Sequence, residues 1–304
     1  MVMIKRMLAL LGSGALAILL LRQAETAAQA VRDGVQLCLT SVIPALFPFF
    51  AVSSLLVALG AAEAAGRVLA RPFRQLFRCG GAGCAALLLG LVGGYPVGAR
   101  TAAELVRRGE LSPAEGARLL TFCNNAGPAF AIGVAGVSVF GSARTGGWLY
   151  LLHCAAALLT GLLFCRRPLP VTAMPKRPVP PQTGLTGQFL RAVEGAVSAM
   201  ARVCGFVVFF LVLLRLAEGL IGPLPPLAAG VLELTNGILR LTPDRRGFVT
   251  ATALLGWGGL SVHCQTAAVT AGSGISLRLY LPAKAVQAAL SAGLAALLAP
   301  YLLP

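Results

Sequence analysis

Charged side chains are scarce in this sequence, and acidic ones are scarcest. Asp, Glu, Lys and Arg make up 12% of the 304 residues, where soluble domains carry about 25%. So few charges cannot cover a water-facing surface, which excludes a soluble globular protein and points to an integral membrane protein. Apolar–polar alternation is also missing. The long Leu/Ala runs do not read as barrel strands, and a chain that crosses lipid without them must cross as helices, so the fold class expected is all-α. Histidine occurs only as His153 and His263, and the eight cysteines form no C-x-x-C pair and no cluster with them. Neither a metal nor a cofactor is expected, and the cysteines read as small buried apolar residues. No H-E-x-x-H, G-x-S-x-G or P-loop occurs. Ser261, His263 and Cys264 stand together, but neighbours one or two apart do not face each other on a helix. An enzyme is not expected.

What is plentiful is apolar and basic. Mean hydropathy is +0.83, and 25 Lys and Arg stand against 10 Asp and Glu. The Arg clusters lie between apolar runs, where the positive-inside rule and anionic lipid place them, and no basic-aromatic module accompanies them. The partner they imply is the bilayer, not nucleic acid. Residues 1–33 read as an N-terminal membrane helix, favoured over a signal cleaved after "AQA" at residues 28–30. Residues 34–60 are long enough to span and carry Pro44 and Pro48, which should kink them. Residues 121–141 and 146–165 read as an out-and-back pair, with His153 as a satisfied polar contact between helices. Residues 166–188 form a Pro-rich basic linker. It separates a first repeat, residues 34–165, from a second, residues 189–304. The N-terminus is expected on the cytoplasmic side, since Lys5, Arg6, Arg67–Arg78 and the linker arginines then share one face.

Two phrases give the halves a common design. "GGYPVGARTAA" at residues 93–103 and "GGLSVHCQTAA" at residues 258–268 agree at six of eleven positions without a gap. Each breaks a helix inside apolar sequence. Apolar pieces of about ten residues reach roughly 15 Å, half a membrane, so each phrase is expected at the tip of a re-entrant hairpin, the two facing one central region. Ser112 with Pro113 and Glu115, and Thr242 with Pro243, read as helix starts. The run 124–128, "NNAGP", interrupts another helix, with Pro128 ending its regular part and the Asn side chains pointing into a cavity shared with the first hairpin. Broken helices at matching places in two halves point to a transport site, because freed carbonyls and helix N-termini there bind ions and anionic groups. The alternative is that the glycines only let helices approach closely. The polar residues in the same segments weigh toward a pocket. The candidate substrate-binding residues are Gly93, Gly94, Tyr95, Pro96, Arg100, Asn124, Asn125, Glu233, Thr235, Asn236, Gly258, Gly259, Ser261, His263 and Gln265. Arg100 is suited to pair bidentately with a carboxylate, while Glu233 opposes an anion unless it is protonated or paired.

The stretch "GGYPVGARTAAELVRRGELSPAEGARLLTFCNNAGPAFAIG", the later "GVLELTNG" and "GGLSVHCQ" closely resemble the YlbJ or SpoVV family of sporulation integral membrane proteins. That family lies within the Gate, or nucleoside-recognition, superfamily. The resemblance runs over nearly the whole chain from residue 34, with three motifs in order. It implies a spore-forming Firmicute source, a fold similar to concentrative nucleoside transporters with inverted repeats, and movement of dipicolinic acid across the outer forespore membrane. The substrate it implies is a small anionic metabolite. A nucleoside or other small molecule is the alternative cargo, and a non-transporting role in spore-envelope assembly is the rival from another class. A homo-oligomer or a sporulation membrane partner is compatible with either.

Overall fold

The computed structural model describes residues 2–59, 61–166 and 184–303, and every regular element in them is helical. Most of the expected linker lies outside the described residues. The chain begins with α1 (Val2–Arg22) and α2 (Ala24–Leu37), whose axes turn by 93° at their junction. From α2 the helix runs on through a π-turn, Cys38–Val42, into α3 (Ile43–Ala58). The π-turn comes just before Pro44, where a wider turn keeps the proline ring off the carbonyl four residues back. An amphipathic α4 (Ala61–Phe77) leads to α5 (Gly83–Gly93) and α6 (Val97–Arg107), which folds back along α5. Next come α7 (Pro113–Leu120), an irregular stretch at residues 121–128, a π-helix (Ala129–Val139), and α8 (Ala143–Phe164) packed back along that π-helix.

The second half starts with α9 (Leu185–Ile221), whose 37 residues reach about 55 Å, well beyond a hydrocarbon core of about 30 Å. It continues with α10 (Pro226–Leu232), α11 (Leu234–Leu239), α12 (Arg245–Trp257), α13 (Gly259–Thr270) and α14 (Tyr280–Leu302). Among the described residues α8, α9 and α14 are long and apolar enough to cross a membrane, with a fourth crossing if α1 and α2 are one bent span. The chain is an integral membrane protein by this measure. Its halves interleave. α14 packs along α12 and α8, α9 along α2 and α3, and α13 against α6 and α9. A stack of Phe77 on Phe122, ring centroids 4.6 Å apart, fills the space beneath α8.

Helix starts follow local chemistry. Ser112 Oγ accepts from Glu115 N at 3.2 Å and Ser112 N donates to Glu115 Oε2 at 2.8 Å. Glu115 Oε1 also takes Gly80 N at 2.8 Å, so one carboxylate caps α7 and pins the α4–α5 loop. The start expected at Thr242 is displaced. Asp244 caps α12, accepting Gly247 N at 2.6 Å, and Thr242 Oγ1 donates to it at 2.9 Å. A carboxylate at a helix N-terminus outcompetes a hydroxyl because it also meets the helix dipole. The Gly247 N–H, and then the Thr242 hydroxyl, hold the Asp244 carboxyl below its usual range.

Two helical hairpins stand out, and only one sits where the repeated phrase put it. In α5/α6 the arms meet at Gly90 and Gly98, and a methyl on either would overlap the carbonyl oxygen of Cys123. The second hairpin is α10/α11, closed where Gly237 lies on Gly230: a methyl on Gly237 would meet the Gly230 backbone, and one on Gly230 the Leu254 side chain of α12. The expectation of a hairpin at residues 258–261 is corrected. There α12 passes into α13 through Gly258 (φ +90°) and Gly259 (φ +83°), and the two arms do not pack along each other. The glycine pair breaks one helix instead of folding it double, because α12 is held by α14 and α13 by α6 and α9.

The clasp around Cys123 predicts a sharp contrast. Gly98→Ala overpacks backbone against backbone, a change that costs about 1–3 kcal/mol or more, and should lower the melting temperature of the purified protein in detergent. Gly147→Ala, where nothing lies within 4 Å of an added methyl, should leave it unchanged. Equal melting of the two variants would refute the clasp.

Candidate functional site

The breaks converge. Gly94, at φ +75°, lies so close to Gly127 that an added methyl would come within 2.8 Å of the Gly127 amide nitrogen. Tyr95, joined to Pro96 by a cis peptide bond, donates its hydroxyl to Leu255 O at 2.9 Å, and the same hydroxyl lies against Gly258. Gly259 meets the α10–α11 junction, 3.0 Å from Leu234 N for an added methyl. The first hairpin tip, the 121–128 stretch, the α12–α13 break and the second hairpin tip therefore touch in sequence around one centre.

That centre is polar and closed. Lys284, 0% exposed, donates to Asn124 O at 2.9 Å and to Gln287 Oε1 at 2.7 Å, and lies 5.3 Å from the centroid of the Tyr95 ring. Gln287 Nε2 donates to Asn125 Oδ1 at 2.9 Å, and Asn125 Nδ2 to Phe122 O at 2.7 Å. Asn124 Nδ2 donates to Thr266 Oγ1 at 2.8 Å and reaches Tyr280 OH at 3.3 Å. Tyr280 OH also meets His263 Nδ1 at 3.2 Å and Thr266 Oγ1 at 3.1 Å. His153 Nε2 accepts Ala126 N at 3.1 Å, which places the ring proton on Nδ1. The network is not complete. Asn124 Oδ1, His153 Nδ1, Ser261 Oγ, His263 Nε2 and Ser291 Oγ are buried without a partner. Orphaned buried polar atoms are costly.

Beside this core lies a cavity of about 310 Å³ between the first hairpin tip, α9 and α13. Pro96, Arg100 and Gln265 line it together with Arg191, Glu194, Ser198 and Arg202 of α9. The guanidinium of Arg100 reaches Gly195 across the opening. The three guanidiniums are exposed at the cavity, whereas Gln265 is buried. Against one carboxylate they leave a formal excess of positive charge, in a volume suited to a small organic anion.

The expected residues thus divide. Pro96, Arg100 and Gln265 line the cavity. Tyr95, Asn124, Asn125, Ser261 and His263 belong to the closed core, and Gly93, Gly94, Gly258 and Gly259 form the breaks. Neither Asn lines the cavity: both ends of the Asn125 amide and the Asn124 Nδ2 bond to protein, and Pro128 opens the π-helix that follows it. His153 is satisfied at one nitrogen only. Glu233 is 2% exposed, and its carboxylate caps α11, accepting Thr235 N at 3.1 Å, Asn236 N at 2.8 Å and Asn236 Nδ2 at 2.7 Å. Glu233, Thr235 and Asn236 close on one another beneath Gly259 and do not open to the cavity. A carboxylate so enclosed is balanced by backbone N–H groups at a helix start, which is why it needs no arginine. Sequence reasoning missed Lys284, Gln287, Arg191 and Arg202. For Lys284 a signal existed: it is the lone charge in the apolar run of α14.

The matches to known proteins fall over these elements. Residues 39–143 match the family model of the Gate domain, described as nucleoside recognition. That span holds the α5/α6 hairpin and the 121–128 stretch. The chain is similar to the sporulation integral membrane protein YlbJ of Bacillus subtilis (strain 168), with 27% identity over 310 aligned positions, 85% of this chain and 74% of that protein. No solved structure matches it.

Tyr280 is the hub of the uncharged half of the network. Tyr280→Phe keeps the ring and leaves His263 Nδ1 and one donor of Asn124 without their partner. The cost of stranding buried groups is about 1–3 kcal/mol, so the melting temperature should fall clearly. Tyr301→Phe, on an exposed ring of the same helix, should not change it.

Proposed function

We propose that this Gate-domain membrane protein carries a small organic anion across the bilayer, and that the anion is dipicolinate, the substrate to which the sequence resemblance points. The observation that carries the reading is the arginine-lined cavity placed against a helix break. Dipicolinate is a flat dianion with a ring nitrogen. Two of the guanidiniums of Arg100, Arg191 and Arg202 suit its carboxylates as planar forks. The amide of Gln265 can address a ring or carboxylate edge. The name of the Bacillus subtilis relative places that protein in sporulation and in a membrane. By extension this chain works in a sporulation membrane, for which we infer the outer forespore membrane.

The element order supports a transporter architecture. Hairpin α5/α6, an interrupted helix at residues 113–139, then α8 is matched by hairpin α10/α11, the interrupted α12–α13, then α14. We read these as two inverted repeats, similar to those of concentrative nucleoside transporters, with the hairpins re-entrant and their tips at mid-membrane. In such a scheme one repeat rocks against the other around the site they share. A nucleoside is the second cargo to consider, since the matched family model is described as nucleoside recognition. A non-transporting role in spore-envelope assembly would leave the cavity's exposed arginines without a task.

Purified protein in proteoliposomes should take up labelled dipicolinate, and unlabelled uridine should not compete. Arg100→Ala should lower that flux about tenfold or more, the loss expected for a charge-assisted hydrogen bond, at unchanged abundance in the membrane. Arg100→Lys should recover only part, because lysine keeps the charge without the fork. Wild-type flux from Arg100→Ala would end the substrate role of this residue, and full rescue by Lys would make it a headgroup anchor. Uptake of uridine in place of dipicolinate would transfer the site to a nucleoside.

A further inference from the structure

In broken-helix transporters, carbonyls freed at the breaks coordinate the driving cation. Here the carbonyl of Asn124 is freed by the 121–128 break, and its occupant is Lys284 Nζ at 2.9 Å. The other ligands of the ammonium are Gln287 Oε1 at 2.7 Å and the face of Tyr95 at 5.3 Å. A backbone carbonyl, an amide oxygen and an aromatic face make a cation cage, and the cation in it is tethered to α14. None of the salt bridges among the described residues includes Lys284, so the amine is held by neutral groups alone. We propose that Lys284 is the proton-carrying site of this protein: one proton bound to its amine takes the place of a metal cation and moves with the anion. The proposal rests on the anion-transport reading above.

The geometry links this site to the cavity. Lys284 holds the 121–128 stretch directly through Asn124 O and indirectly through Gln287 and Asn125. That stretch carries Gly127, on which Gly94 of the hairpin tip rests, and Cys123, which Gly90 and Gly98 clasp. The tip presents Tyr95 to the ammonium and Pro96 to the cavity. Loss of the proton, from –NH3+ to –NH2 with H+ released to water, removes the charge that the Tyr95 face attracts and weakens the bonds to both oxygens. An anion arriving behind Pro96 favours the charged form by plain Coulomb attraction. Anion and proton are thereby bound together, which is symport. The titratable groups near the amine are Tyr95, Cys123, His153 of α8 and His263 of α13, with Tyr280, at the start of its own helix, bonded to His263. From α12, packed along α14, the charged groups are Arg245 and Arg246 at the far end, where Arg245 donates to Ala296 O.

Calorimetry of dipicolinate binding to the full chain in detergent, in two buffers of different ionisation enthalpy, counts protons taken up per anion. The expected result is net proton uptake by the wild type, growing toward one proton per anion as pH rises through the range where the free amine loses its proton, and none by Lys284→Met. In proteoliposomes, acid outside should speed dipicolinate entry severalfold, and a sodium gradient at constant pH should not. In Lys284→Met the entry should no longer respond to the pH gradient. The wild-type measurements stand even where the variant does not fold. Dipicolinate that binds and moves with no proton uptake, or that sodium drives, overturns the lysine as coupling site and leaves the transport reading intact. A wild type that neither binds nor moves dipicolinate overturns the transport reading, and this inference falls with it.

Discussion

A peptide group released from a helix inside lipid finds no water to pair with, and each one left alone costs several kcal/mol. This chain releases such groups in the 121–128 stretch, at Gly258–Gly259 and at two hairpin tips. Much of its architecture answers for them. The Cys123 carbonyl is gripped between Gly90 and Gly98, the Ala126 N–H goes to His153, the Leu255 carbonyl to Tyr95, and the Asn124 carbonyl to Lys284. Glu233 takes the free amides at the start of α11. Two of these answers, Tyr95 to Leu255 O and Lys284 to Asn124 O, cross from one half to the other, so an isolated half would leave those carbonyls unpaired.

The same demand explains why the halves interleave. α14 belongs to the second half but packs between α8 and α12, because its buried face carries Lys284 and Gln287, which complete the first half's broken segment. The exposed arginines lie on the other side of the hairpin tip, next to α9. Charge is thus sorted into two zones. A closed core holds one lysine amine among neutral groups, and an open cavity holds several guanidiniums.

Much of this was legible before any coordinates. The shortage of charge named the membrane, the "GGYP" and "NNAGP" phrases marked real breaks, and "LSPAE" marked a real capping box. The repeated phrase misled in one respect. Its two copies are alike because both must leave helical geometry beside a packed neighbour, yet one copy turns the chain back and the other continues it. What decides between these outcomes is the helix waiting on the far side, and no local pattern carries that. By sequence Glu233 reads as a pocket residue, because an acid in apolar sequence looks costly. A pattern search does not see that two amides and the Asn236 side chain donate to it. Lys284 was passed over because α14 otherwise reads as an ordinary span. The partner that explains the lysine is a carbonyl 160 positions away.

That separation sets a timetable for synthesis. A ribosome adds about 5–20 residues per second, so the carbonyl of Asn124 enters the membrane many seconds before the lysine that will satisfy it. Through that interval the segment between α7 and the π-helix has no resident cation. It must borrow one, stay near the headgroups where water and ions reach it, or be shielded by another protein. Assembly of this molecule is therefore gated by a helix made 160 residues after the break it serves, and a chain stalled before it would leave a polar wound in the bilayer where the folded protein has a sealed core.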